Sequence, residues 1–327
     1  MILVKKPGWP VMAQSVLLSM EKIAGKADDF PGSLEFMVSA IRKNFPDLDL
    51  SHPAMMLEGC GNVLIRFGRR CVFKIPRYQS KIPDLRREIA ILKAIGQEQL
   101  PVPEYYCSRF GKGFAMAGFS YIDGTPISGF KTLSETLKTD LKSALRKIHA
   151  LQVKGGHNKA STGKGESPWA DHYSNQFKRM LARNSGLLDP ELLDSIAGDF
   201  KHFRQSLLSG YSPSFIHGDF YRNNILVSAD GSRLEGILDW GDAFMGGDPA
   251  IDIAAIAMDY GEQVLDYFTD GYWQFDAGFT ERAKFYIRVE PIFMLDQGRL
   301  IGDEKAIETS LETLAYNFSR ARFRPRS

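Results

Sequence analysis

The run Ile216-His217-Gly218-Asp219-Phe220-Tyr221-Arg222-Asn223-Asn224-Ile225-Leu226 sets an Asp and an Asn five residues apart, just before an apolar strand. After a turn at Asp230-Gly231, a second apolar strand, Ile237-Leu238, ends on Asp239. Phosphoryl transfer needs such a set. One carboxylate orients an attacking hydroxyl, and further oxygen ligands hold Mg²⁺ against nucleotide phosphates. Asp-x₄-Asn alone arises by chance in a chain of this size, so the weight lies in the order of the other parts. A Gly-containing turn (Gly59, Gly61, Asn62), a strand lysine (Lys74), a helix glutamate (Glu88) and a linker strand precede Asp219, Asn224 and Asp239. That is the order of parts a two-lobed kinase requires.

These residues need elements to hold them. Met56-Leu57 and Val63–Phe67 read as two strands joined by a turn, and Gly68-Arg69-Arg70 leads into Cys71–Ile75, closed by Pro76. Asp84 to Ile95 is an amphipathic helix with Asp84 as its N-cap and Gly96 after its last turn. Glu88 falls on or beside the stripe of Leu85, Ile91, Leu92 and Ile95. A carboxylate there needs a cation, and Lys74 is the candidate. Pro101-Val102-Pro103 opens a further strand and Phe114–Phe119 forms another. Leu137, Leu141, Leu145 and Ile148 mark a helix, residues 154–165 a surface loop, and 171–208 and 251–320 more helices. The fold class is therefore α+β. A small antiparallel sheet with one helix should occupy 31–119, a linker 120–124, and a mainly helical lobe 125–327, behind an N-terminal extension, 1–30.

Composition narrows the function. A net charge of +2 argues against nucleic-acid binding as the main activity. The three cysteines, Cys60, Cys71 and Cys107, show neither CxxC pairing nor metal-like spacing and read as free thiols. No apolar stretch is long enough to span a bilayer and no signal peptide is expected, which makes a cytoplasmic monomer the simplest expectation. Charge is uneven: residues 61–110 carry ten Lys/Arg against four acids, and 241–300 carry eleven acids against four bases. The pattern suits a polyphosphate at one end and a cationic substrate at the other.

The chain resembles the aminoglycoside and macrolide phosphotransferases, a protein-kinase-like family related to choline kinases. The likeness covers roughly 50–320 and rests on His217-Gly218-Asp219…Asn224, Leu238-Asp239-Trp240, Gly247-Asp248-Pro249-Ala250-Ile251-Asp252, Val72–Pro76, Ile148-His149-Ala150-Leu151 and Gly118–Gly124. It implies a bilobal kinase-like fold with Asp219 as catalytic carboxylate. Asn224 and Asp239 would be Mg²⁺ ligands, and Lys74, held by Glu88, would contact the phosphates. Gly59, Gly61 and Asn62 would lie beside those phosphates, and backbone groups of Ser120 and Ile122 would reach the purine of ATP or GTP. Asp252 would support the catalytic loop. His217 and His149 read as structural histidines rather than bases.

A protein kinase is excluded by the lack of His-Arg-Asp, Asp-Phe-Gly and Ala-Pro-Glu. Only 12 residues separate Asp239 from Asp252, too few for a protein-substrate activation segment. The acceptor is expected to be an aminoglycoside- or macrolide-type antibiotic hydroxyl. Asp242, Asp259, Glu262, Glu290 and Asp296 are candidates for its ammonium groups, and Phe244, Tyr260 and Phe293 for apolar rings. A metabolic kinase for choline, a thiosugar, homoserine or a glycated amine is the first alternative, and a non-catalytic nucleotide-binding protein the second.

Overall fold

The computed structural model describes residues 33–56, 61–95, 100–112, 114–152, 168–208, 210–272 and 275–319. The N-terminal extension, Gly59, Cys60, Gly96 and the 154–165 loop lie outside them. Helix α1 (Leu34–Asn44) opens the described chain, capped by Ser33, whose side chain accepts from the Phe36 amide. It buries Met37, Val38 and Ile41 against a five-stranded antiparallel sheet. The sheet comprises β1 (Pro53–Met56), β2 (Asn62–Phe67), β3 (Cys71–Pro76), β4 (Tyr105–Phe110) and β5 (Ala115–Ser120), in spatial order β1-β2-β3-β5-β4. Alternation in β2 sends Val63, Ile65 and Phe67 inward, where Phe67 meets Phe73 edge-on. The sequence foresaw one helix beside this sheet, so α1 is an addition.

Helix α2 (Ile82–Ile95) buries Leu85, Glu88, Ile89, Ile91, Leu92 and Ile95. It starts two residues earlier than expected, since Pro83 is tolerated in a first turn. Asp84 is thus inside the helix rather than its cap, and its carboxylate meets Lys81 at 3.1 Å and Arg87 at 2.9 Å.

The short strand β6 (Thr125–Pro126) precedes α3 (Glu135–Ala150), which is capped by Ser134 and buries Leu137, Leu141, Leu145 and Ile148. Helices α4 (Pro168–Asn184) and α5 (Pro190–His202) each begin on proline, the residue best suited to a first helical position. Strands β7 (Ser214–Ile216), β8 (Ile225–Val227), β9 (Leu234–Ile237) and β10 (Phe244–Gly247) form two small sheets, β6-β8-β9 and β7-β10. Helices α6 (Ala250–Tyr260), α7 (Gln263–Thr269), α8 (Phe279–Ile301) and α9 (Glu304–Asn317) complete the described chain. None is long and apolar enough to cross a membrane.

By contacts the chain divides into two compact units. The larger holds residues 33–178 and 197–287 of the described chain, and so the sheet, the linker and every strand. Its aromatic core stacks Phe203 on Phe285 and Phe177 on Phe200. The smaller holds 179–196 and 288–319 and is tied by Asp296, which accepts from Arg183 (2.5 and 3.1 Å) and Asn184 (2.9 Å). Residues 120–124 run inside the larger unit, because α2 docks on the turn at Trp240–Asp242: Arg87 donates to the Gly241 carbonyl at 2.6 Å.

Candidate active site

Lys74 points from β3 into a nearly closed position, 9% exposed. Its Nζ donates to Glu88 Oε2 at 2.8 Å and to Asp239 Oδ1 at 3.0 Å. Burial alone would drive this ammonium down; the two carboxylates outweigh it and hold Lys74 charged. The same contact keeps the Asp239 carboxyl below its ordinary range, against the effect of its own burial. Lys74→Met leaves Glu88 buried without a cation. The expected cost is about 3 kcal/mol of stability in urea unfolding, the usual result of stripping one partner from a buried pair.

The catalytic-loop candidates are positioned by backbone capture. Asp252 on α6, fully buried, accepts from the His217 amide (2.8 Å), the Gly218 amide (2.9 Å) and His149 Nε2 (3.0 Å). His217 is also fully buried. Its Nε2 donates to the Leu238 carbonyl at 3.0 Å and its Nδ1 accepts from the Asp219 amide at 3.2 Å. Those partners define the neutral tautomer with the proton on Nε2, and burial pushes the imidazole pKa down. His217 is therefore a loop fastener. His149 shares Asp252 with it, and its Nδ1 pairs with the Tyr272 hydroxyl.

Gly218 has φ +78°, and a Cβ there would stand 2.5 Å from the Asp242 carbonyl oxygen. The approach between the two loops requires glycine. Asp239 is one of two non-glycine residues with positive φ among the described residues, at 59°. The kink turns its carboxylate out of the strand end, where it is about half exposed.

Asn224 Nδ2 donates to the Asp219 carbonyl (2.9 Å) and to Asp219 Oδ2 (2.8 Å). Both partners are acceptors, so the amide nitrogen must face them and the Asn224 oxygen points elsewhere. Burial, then the charges of Asp242 and Asp239, push the Asp219 carboxyl up to about 8. Three carboxylates thus converge, and among the described residues no cation is paired with Asp219 itself, Lys74 acting only as a more distant charge.

Lys74, Glu88, Asp219, Asn224, Asp239 and Asp242 come together in one cluster. Gly61 and Asn62 open β2, with the Gly61 carbonyl accepting from Arg77, and Gly59 lies outside the described residues. The Ser120 amide donates to the Glu104 carbonyl at 2.8 Å, which leaves its carbonyl as the backbone group proposed to face a purine. Ile122 packs on Gly236.

Much of the acidic excess of 241–300 also proves to be internal. Asp248 and Asp276 grip the buried Arg282 (2.8 and 2.7 Å), Asp252 holds the loop, and Asp296 holds Arg183. Asp259 meets Arg222 of the catalytic loop at 3.3 Å, and burial, opposed by that arginine, pushes it up to about 6. Asp242 and Glu262 stay exposed; Glu290 is half-buried in the smaller unit. Tyr260 gives its hydroxyl to the Ile127 carbonyl at 2.9 Å and Phe244 packs on Trp169, both structural tasks. Sequence reading missed the Arg282 knot and the Arg222–Asp259 pair. Arg282 had a signal: a lone arginine among Phe279, Ala283, Phe285 and Tyr286 on a helix demands a buried carboxylate.

An antiparallel sheet carrying a Lys–Glu pair beside an Asp–Asn loop and a strand-end Asp defines a kinase-like phosphotransferase fold. Residues 61–286 match the model of the phosphotransferase enzyme family (APH), and the chain belongs to that family.

Among curated proteins the chain is 23% identical over 225 residues to the "Probable acyl-CoA dehydrogenase IBR3" of Arabidopsis thaliana, covering 64% of this chain and 27% of that protein. It is 35% identical over 102 residues to the viomycin phosphotransferase of Streptomyces vinaceus, 29% of this chain and 34% of that one. The matched parts span about a quarter to a third of these relatives. Among solved structures, the GDP complex of aminoglycoside 2'-phosphotransferase-IIIa matches with a TM-score of 0.73 at 20% identity, covering 89% of this chain and 100% of that one. APH(4)-Ia with ADP and hygromycin B matches at 0.62 and 15% identity, over 86% and 97%. These structures share the fold.

Proposed function

We propose that this enzyme transfers the γ-phosphate of ATP or GTP to a hydroxyl of an aminoglycoside- or macrolide-type antibiotic carrying ammonium groups. The observation that carries the reading is the Asp219–Asn224 contact facing Asp239, Lys74 and Glu88. Asp219 Oδ2 is held by Asn224, and the other carboxylate oxygen is left to orient the acceptor hydroxyl and take its proton as the O–P bond forms. In a loose transition state the orientation matters most. Lys74, fixed by Glu88, steadies the nucleotide phosphates beside Gly61.

The donor set fits Mg²⁺. Asn224 and Asp239 offer hard oxygens, and among the described residues no group of three His, Cys, Asp or Glu is arranged to hold an ion alone. That suits a metal that completes its shell with water and phosphate oxygens. When bound, Mg²⁺ would offset the charge of the nucleotide phosphates.

On the acceptor side, Asp242 is an exposed carboxylate whose backbone lies against Gly218 of the catalytic loop, and Glu262 lies just past the end of α6. The viomycin phosphotransferase match and the named aminoglycoside neighbours support a cationic drug. A metabolic acceptor such as choline or a sugar amine is the second reading.

The test is nucleotide turnover with Mg²⁺ and ATP or GTP against kanamycin, hygromycin B, viomycin, a macrolide, choline and sugar amines. Turnover with a drug and none with the metabolites is expected; the reverse pattern selects the second reading. With a polycationic acceptor, Asp242→Asn should raise KM about 10-fold and leave kcat within twofold, as expected when one charged contact is lost from ground state and transition state alike.

A further inference from the structure

Lys81 belongs to none of the roles above. It closes the short 3₁₀ turn Gln79–Lys81, immediately before α2. A cation there opposes the helix dipole, which favours negative charge at an N-terminus. Its stem lies along the start of β2: a Cβ added at Gly61 would stand 3.4 Å from Lys81 Cε. Its Nζ rests on Asp84 Oδ2 at 3.1 Å, with about half of the side chain exposed.

Asp84 does not depend on this contact, because Arg87 holds its other oxygen at 2.9 Å and anchors to the Gly241 carbonyl. Lys81 can therefore leave Asp84 without stranding it. Burial would lower the Lys81 ammonium, but Asp84, and beyond it Asp242 and Asp239, outweigh burial and raise it. The side chain thus lies between the Gly61 position before β2 and Asp84, within the field of Asp239 and Asp242. Lys74, by contrast, is already committed to Glu88 and Asp239.

Resting on the kinase reading, we infer that Lys81 is a second phosphate-binding cation, which swings from Asp84 to the β- and γ-phosphates when the nucleotide lies along Gly61. Charge makes the exchange favourable. A polyphosphate offers the ammonium several strong acceptors in place of one shared carboxylate. Lys81 would then contribute to holding the transferred group, and Lys74 would remain the fixed anchor.

The test measures dissociation constants for ATP and AMP (GTP and GMP if guanine is the base used), with Mg²⁺, on wild type, Lys81→Ala and Lys81→Arg. Thermal melting of each ligand-free protein is run alongside. Lys81→Ala should weaken the triphosphate about 10-fold, leave the monophosphate within twofold and keep the melting temperature, and Lys81→Arg should recover most of the loss. Equal weakening of both nucleotides, or no change in either, overturns the assignment while leaving the kinase reading in place. A wild-type chain that binds no triphosphate overturns the kinase reading and Lys81 with it.

Discussion

Asp219→Asn should abolish turnover, by about 10³-fold, the magnitude of a positioned proton acceptor, while leaving nucleotide affinity close to wild type. The amide keeps the shape and still offers Asn224 an oxygen, but it cannot accept the hydroxyl proton. The same substitution should stabilise the ligand-free protein. In the fold the Asp219 carboxyl is pushed up to about 8 by burial and by Asp242 and Asp239, whereas in the unfolded chain it titrates near its ordinary value of about 4. Between those values unfolding releases a proton, so wild-type stability falls as pH rises through the window and levels off above it. The Asp219→Asn variant lacks that slope. Its advantage in melting temperature should be absent near pH 4 and largest near pH 8, in metal-free buffer. A variant that is inactive and also melts lower at pH 8 would count against the crowded-carboxylate account. An active variant would overturn the assignment of Asp219.

Asp252→Asn should fail in the opposite way, losing stability and activity together. Three donors converge on this buried carboxylate: the amides of His217 and Gly218, and His149 Nε2. An amide presents one acceptor and one donor group, so its nitrogen must face a donor and at least one buried N–H goes unpaired. Unsatisfied buried groups cost about 1–3 kcal/mol each, so a loss of about 3 kcal/mol in urea unfolding is expected. Turnover should drop at least 10²-fold as Gly218 and Asp219 lose their anchor. Unchanged stability would mean that the loop is held elsewhere.

These contrasts show which parts of the site local sequence can carry. Lys74 and Glu88 were legible because a carboxylate on a buried helix stripe must find a cation. Asp219, Asn224 and Asp239 were legible because each sits at a fixed offset from an apolar strand. The sheet was legible from alternation in 62–76, although α1 was passed over despite the Ser33 cap and the Met37, Val38 and Ile41 stripe.

The Arg222–Asp259 pair joins residues 37 apart in sequence, and the Arg282 knot joins Asp248 and Arg282, 34 positions apart. Nothing local announces such partners. For the same reason the acidic excess of 241–300 overstated the field available to a cationic substrate, since five of those eleven carboxylates (Asp248, Asp252, Asp259, Asp276 and Asp296) are engaged by arginines and amides of the same chain.

Lys74 touches Asp239 as well as Glu88 before any ligand arrives. The resting protein therefore carries its own counter-ion for the carboxylate proposed to serve a divalent cation. On that proposal, folding and ion loading are uncoupled. Chelators should leave the unliganded melting curve unchanged while stopping turnover, and the protein should remain intact through metal-free purification. On the proposed function, magnesium would travel with the nucleotide and leave with it, as a companion of the substrate rather than a rivet in the scaffold.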